Sequence, residues 1–204
     1  PVKVVITERI PSGGHRKMLE FTVDPSDKAI CREKENDFKV VPILDNGPLD
    51  RKVDLCIVAE GYRAGEMDKF ISDCRRLTDY MFTLEPYKSR KGDFNVWAVE
   101  SASEESGTDI PHHDIWRNTV AASNFYTFGI DRYLTAPDHK KVSQLASGAP
   151  CDAIYVLVNE TKYGGGGIYN YYALSTSDHR LTPEVFIHEF GHSFAGLGDE
   201  YYES

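Results

Sequence analysis

The sequence predicts an α/β fold built on a mixed, mostly parallel sheet, and three observations carry that expectation. Two continuous apolar runs of buried-strand length, VDLCIVA (53–59) and DAIYVLVNE (152–160), lie far apart in the chain. Between them, EMDKFISDCRRLTDYMF (66–82) places Phe70, Ile71, Cys74, Leu77, Tyr80 and Met81 at helical spacing. The third is a helical segment near residue 204 that carries the pattern H-E-x-x-H. Strands buried on both faces read as unbroken apolar runs, and helices interleaved with them cover the two faces of one sheet.

Taken in order, residues 1–50 read as a small β segment, of the kind that forms part of a small β-sandwich. VKVVITERI is rich in β-branched residues, PSGG breaks the run, KMLEFTV alternates, and DPSD turns it again. VVPILDNGPLD (40–50) reads as a Pro- and Gly-punctuated linker. Residues 51–204 then form the second unit. After VDLCIVA comes the turn AEGY, whose Glu60 is a candidate for lining a cleft, and then the amphipathic helix. FNVWAVE (94–100) is a further strand, followed by a long polar section that contains DIPHHDIW. DAIYVLVNE is the next strand, and TKYGGGG a glycine loop that leads into the aromatic strand IYNYYALST.

Composition narrows the class of function. The 204 residues are 41% hydrophobic and 27% charged, as expected of a globular domain with a real core. The net charge of −9 argues against nucleic acid or an anionic bilayer as partner, since neither is attracted to such a field. No apolar run reaches the length of a membrane span. Cys31, Cys56, Cys74 and Cys151 are far apart, with no C-x-x-C pair, which disfavours a cysteine metal site. Cys56, inside VDLCIVA, reads as a small buried hydrophobe.

The chemistry concentrates in the last helix. Thr182 suits an N-cap, Pro183 the first turn, and Glu184 the positive end of the helix dipole. His188 and His192 stand at i and i+4, so both imidazoles leave one helix face and can grip one zinc ion. Glu189, beside the first of them, can accept the proton of a zinc-activated water without itself being a ligand. A third ligand is needed. Gly196 and Gly198 let the chain turn back, and Asp199 then arrives as the favoured candidate, with Glu200 or a later acid competing. In the metzincin pattern H-E-x-x-H-x-x-G-x-x-H/D the interval from glycine to ligand is the same. This chain has one extra residue before the glycine, which leaves Gly198 at the strict ligand position.

Other features weigh less. Gly164 to Gly167 is not followed by G-K-[ST], so it is no phosphate loop. It reads either as a flexible connector or as backbone that approaches a bound peptide. On the second reading Gly165, Gly166, Gly167, Ile168 and Tyr169 contact substrate at a sheet edge formed by IYNYYA. His112 and His113, being adjacent, make a poor chelate and read as surface loop. Tyr201 and Tyr202 are candidates for facing the site, with core packing the simpler role.

HEFGHSFAGLGDEY, with IVAEGYRAGEMDKF, FNVWAVESASEESGTDIP and YGGGGIYNYYA, resembles the bacterial metallopeptidase family typified by an immunoglobulin A peptidase, in ordered blocks over 53–204. The resemblance implies a metzincin-like fold and a secreted, periplasmic or surface-attached zinc endopeptidase that acts on protein. It also implies that His188, His192 and Asp199 hold the metal and that Glu189 is the base. Metzincins continue past this helix to a methionine turn, whereas Met18, Met67 and Met81 all precede it. The expectation is therefore the N-terminal half of a catalytic domain, with the C-terminal subdomain missing. The alternative is a binding or adhesion module that keeps the fold without turnover.

Overall fold

The computed structural model describes residues 1–30 and 36–199. Cys31, Glu200, Tyr201 and Tyr202 lie outside the described residues. The chain divides into two compact units, Pro1–Lys34 and Glu35–Ser204.

The first unit is an antiparallel hairpin of β1 (Val2–Arg9) and β2 (His15–Val23), turned at Gly13 and Gly14, both with positive φ. Val2/Val23, Val4/Phe21 and Ile6/Leu19 are paired across the strands, so one face is apolar. Lys3, Lys17 and Glu20 form ion pairs on the other face.

The second unit contains β3 (Val40–Leu44), β4 (Val53–Glu60), α1 (Met67–Met81), β5 (Phe94–Val99), the short strands β6 (Asn124–Phe125) and β7 (Leu134–Thr135), α2 (His139–Ala146), β8 (Ala153–Val158), β9 (Gly165–Ile168), β10 (Tyr172–Thr176) and α3 (Thr182–Ala195). Six of the strands form one sheet in the order β3-β5-β4-β8-β10-β9. The three inner pairings are parallel and the two outer ones antiparallel, so the sheet is mixed and mostly parallel.

Three sequence readings change here. Val40–Leu44, read as linker, is an edge strand paired with β5. Pro42 is tolerated because the strand is at the edge and the register slips between Pro42 and Leu44. The glycine run, read as a loop, is the opposite edge strand, β9. Of IYNYYA only Ile168 belongs to that edge: Tyr169, Asn170 and Tyr171 turn the chain, and Tyr172–Thr176 is an inner strand.

Alternation along the strands splits the core. Leu55, Ile57, Tyr155, Leu157 and Ala173 face α1 and α3, where Phe70, Leu77, Phe186 and Phe190 cover them. Cys56, Val58, Val156, Val158 and Leu174 face the other way, towards Val142, Leu145 and Ala146 of α2. Cys56, Cys74 and Cys151 are free thiols. Among the described residues no helix is long and apolar enough to cross a membrane.

Glu60 does not line a cleft. It ends β4 fully buried, accepting from the Thr119 hydroxyl and from the N–H groups of Ala121 and Ser123 at 2.5, 2.7 and 2.9 Å. Its carboxylate thereby ties the long polar section to the C-terminal end of the sheet.

Candidate active site

α3 lies across the sheet against β9 and β10. Thr182 does not cap its own helix; its hydroxyl donates to the Thr176 carbonyl at 2.9 Å and so docks the first turn onto β10. Val185, Phe186 and Phe190 are buried, Tyr155 stacking on Phe186, which leaves His188 and His192 on the outward side. The helix ends at Gly196, whose φ of 66° is a left-handed conformation that suits glycine. Its N–H bonds the His192 carbonyl, and the Leu197 N–H bonds the Gly191 carbonyl.

That reversal brings Asp199 back over the helix. Nε2 of His188 and Nε2 of His192 are 3.0 Å apart, and Asp199 Oδ1 lies 3.1 and 3.3 Å from them. His192 Nδ1 faces the Leu197 carbonyl oxygen, which can only accept. An imidazole that donates there through Nδ1–H presents its Nε2 to the other two donors. Burial and the neighbouring His192 hold the His188 pKa below its ordinary value, against the pull of Asp199, which favours the neutral, ligating form.

Three donors at mutual distances of 3.0–3.3 Å fit one tetrahedral cation. Bonds of about 2.0–2.1 Å space the ligands of such an ion about 3.4 Å apart. Glu189 stands beside the trio; its carboxylate lies within 4.8 Å of the two imidazole nitrogens, so that it too is placed where a metal ion could be held. Burial pushes its pKa up to about 7, with Asp199 adding to the rise and His192 and Arg132 opposing it. A carboxylate so tuned exchanges protons near neutrality.

β9 explains the glycines. A β-carbon on Gly165 would fall 2.8 Å from Glu189 Oε1, and one on Gly167 2.5 Å from the Glu189 carbonyl oxygen. On the opposite face, a β-carbon on Gly164 would meet the Phe125 ring at 2.2 Å, and one on Gly166 the Leu134 carbonyl at 2.8 Å. The edge strand is thus pressed between α3 and the 125–135 segment, with no room for side chains on either face.

A cavity of about 1140 Å³ runs along this edge. Its walls include His188, Glu189, His192 and Asp199 on one side, Gly165, Gly166, Gly167 and Ile168 along the strand, and Phe128, Leu134 and Pro137 on the other. Tyr169 also lines it, its ring lying over Gly196. Neither the Leu197 carbonyl nor the 127–137 wall was read from the sequence. The first is a backbone group without a signature, and the second lies in a section with no clear periodicity. His112 and His113 belong to a 3₁₀ turn and join no cluster with a third ligand-type residue among the described residues.

No curated protein sequence matches the chain. A family model described as IgA peptidase M64 matches residues 41–204, which takes in the whole six-stranded sheet apart from Val40, together with all three helices. With most of its length matched, the chain belongs to the IgA peptidase M64 family.

Proposed function

We propose that the chain is a zinc-dependent endopeptidase of metzincin type, whose metal is held by His188, His192 and Asp199 and whose general base is Glu189. The observation that carries this reading is the convergence of three donor atoms within 3.3 Å of one another, beside a partly buried carboxylate, in a peptide-sized cleft.

Zinc, when bound, supplies a Lewis acid that polarises a carbonyl and brings the pKa of water towards neutrality. The chain's residues do the rest. Glu189 accepts a proton from the attacking water on a carboxylate oxygen, holds it while the tetrahedral carbon forms, and delivers it to the departing amine nitrogen. The His192 Nδ1–H bond to Leu197 fixes one ligand's tautomer and orientation throughout.

β9 orients the substrate. The Thr176 N–H donates to the Gly164 carbonyl at 3.2 Å, and alternation of bonded pairs turns the N–H and C=O of Gly165 and Gly167 away from β10. A bridge to Tyr133 occupies the outer edge at Gly165. Gly167 is the point at which an extended peptide adds to the sheet, directly against Glu189 and His192. Pairing through backbone alone suits hydrolysis inside a protein chain, hence an endopeptidase.

Hydrolysis of an unstructured protein such as casein, followed before and after chelation and after zinc is restored, tests the reading. Activity lost to the chelator and regained with zinc is the expected result; activity indifferent to the chelator would overturn it. Stoichiometric zinc without hydrolysis would instead support a binding module on the same fold.

A further inference from the structure

The wall of the cleft opposite α3 carries an unusual feature at Tyr126–Gly129. Tyr126 and Phe128 both adopt left-handed backbone, with φ of 72° and 57°. Bulky side chains disfavour that region, and such strain persists only where the surroundings impose it, often at sites of function. Here they do. The Thr127 N–H donates to the Tyr133 carbonyl, the Gly129 N–H to Tyr126 and the Ile130 N–H to Thr127, at 3.3, 3.0 and 3.2 Å. The Thr127 and Thr135 hydroxyls lie 2.7 Å apart.

The product of this kink is an exposed ring. Phe128 is 89% exposed, the most exposed large hydrophobic residue described, and it lines the same cavity as His188 and Glu189. Leu197, Ile168 and Tyr163 also present exposed apolar surface to that cavity. A rigid loop that holds a phenyl ring in water, inside a cleft, keeps apolar surface in reserve for whatever enters.

Strand geometry says which part of the entrant meets it. Gly165 and Gly167 turn one face of β9 to α3, and Gly164 and Gly166 turn the other to the 125–135 segment. Side chains of a peptide added to this edge must alternate in the same way, one set towards the metal helix and the next towards the Phe128 wall.

We propose that Phe128 is a specificity-determining residue: it selects substrates that carry a bulky apolar side chain, leucine or phenylalanine in class, at a position whose side chain points away from α3. This rests on the endopeptidase reading above. The interaction is packing of one apolar side chain on the Phe128 ring, with no bond made or broken.

A set of peptides that differ only in having Leu, Ala or Asp at successive positions around one scissile bond tests it, as the ratio of kcat/KM for Leu over Ala. The wild-type chain with zinc should favour Leu by about tenfold or more at one such position, a typical return for filling an apolar subsite. Phe128→Asn removes the apolar ring while asparagine tolerates the left-handed backbone, so that ratio should fall towards one. Phe128→Leu should keep most of it. An unchanged ratio in Phe128→Asn, or no apolar preference at any position in the wild type, overturns the proposal and leaves the peptidase reading standing. If the wild type hydrolyses none of the peptides nor casein with zinc present, the peptidase reading itself has failed.

Discussion

His192 and Leu197 are locked to each other: the ring Nδ1 of His192 meets the Leu197 carbonyl just past the left-handed turn at Gly196. The contact sets the direction of Nε2 and the path by which the chain delivers Asp199 to the two imidazoles. Asp199→Ala should therefore act as loss of a ligand. Zinc affinity, read by competition with a chromophoric chelator, should fall by more than about a hundredfold, beyond the usual effect of removing a residue behind the ligands. Near-normal affinity in Asp199→Ala would exclude it as the third ligand.

Gly167→Ala inserts one methyl group between β9 and α3, 2.5 Å from the Glu189 carbonyl oxygen and 2.7 Å from His192 Cβ. Neither contact is the end of a flexible chain, so strand and helix must part, at a cost of about 1–3 kcal/mol. Thermal unfolding and zinc titration should both register the change. Gly65→Ala, with nothing within 4 Å of its added carbon, should alter neither.

What the sequence made legible follows from what leaves a pattern in side chains. The runs around Leu55 and Val156 and the stripe of Phe70, Ile71, Cys74, Leu77, Tyr80 and Met81 reported burial directly; the structure buries most of these side chains and leaves Val53, Ile71, Tyr80 and Ile154 half-buried. β9 had glycine at three of its four positions and so almost no side chains with which to report. Its strand character is a tertiary property, set by α3 on one face and Phe125 and Leu134 on the other. Val40–Leu44 was hidden by Pro42 and the turn residues after it. α2 went unread because it is only eight residues long, although Asp138 caps it through the Lys141 N–H and Val142, Leu145 and Ala146 keep helical spacing. That His188 and His192 share one helix face was legible because i, i+4 spacing is a matter of local geometry; the approach of Asp199 depends on the turn at Gly196.

Glu60→Ala should destabilise the second unit without touching the cleft. It strips the partner from one hydroxyl and two backbone N–H groups in a fully buried setting. The expected loss is about 3–5 kcal/mol, read from denaturant unfolding. A change within experimental error would mean that this carboxylate does not hold the 119–123 segment.

In metal-free protein the raised pKa of Glu189 has a definite sign. A carboxyl whose folded pKa, about 7, exceeds its unfolded value favours the folded state fully at pH below the unfolded value. That contribution fades as pH rises through about 7. The melting temperature of the wild-type apoprotein minus that of Glu189→Gln should therefore decrease between pH 5 and pH 8 on the order of a few degrees. A difference that is flat or increases with pH would contradict the burial of this group.

The most direct test of the central claim is one preparation of Glu189→Gln, measured for both zinc content and casein hydrolysis against the wild type. Gln keeps the shape of the side chain and leaves His188, His192 and Asp199 in place, so zinc should remain near one ion per chain. Without a carboxylate to take the proton, hydrolysis should fall by about two to four orders of magnitude. Wild-type activity in the zinc-loaded variant would contradict the account, because a base other than Glu189 would then be running the reaction.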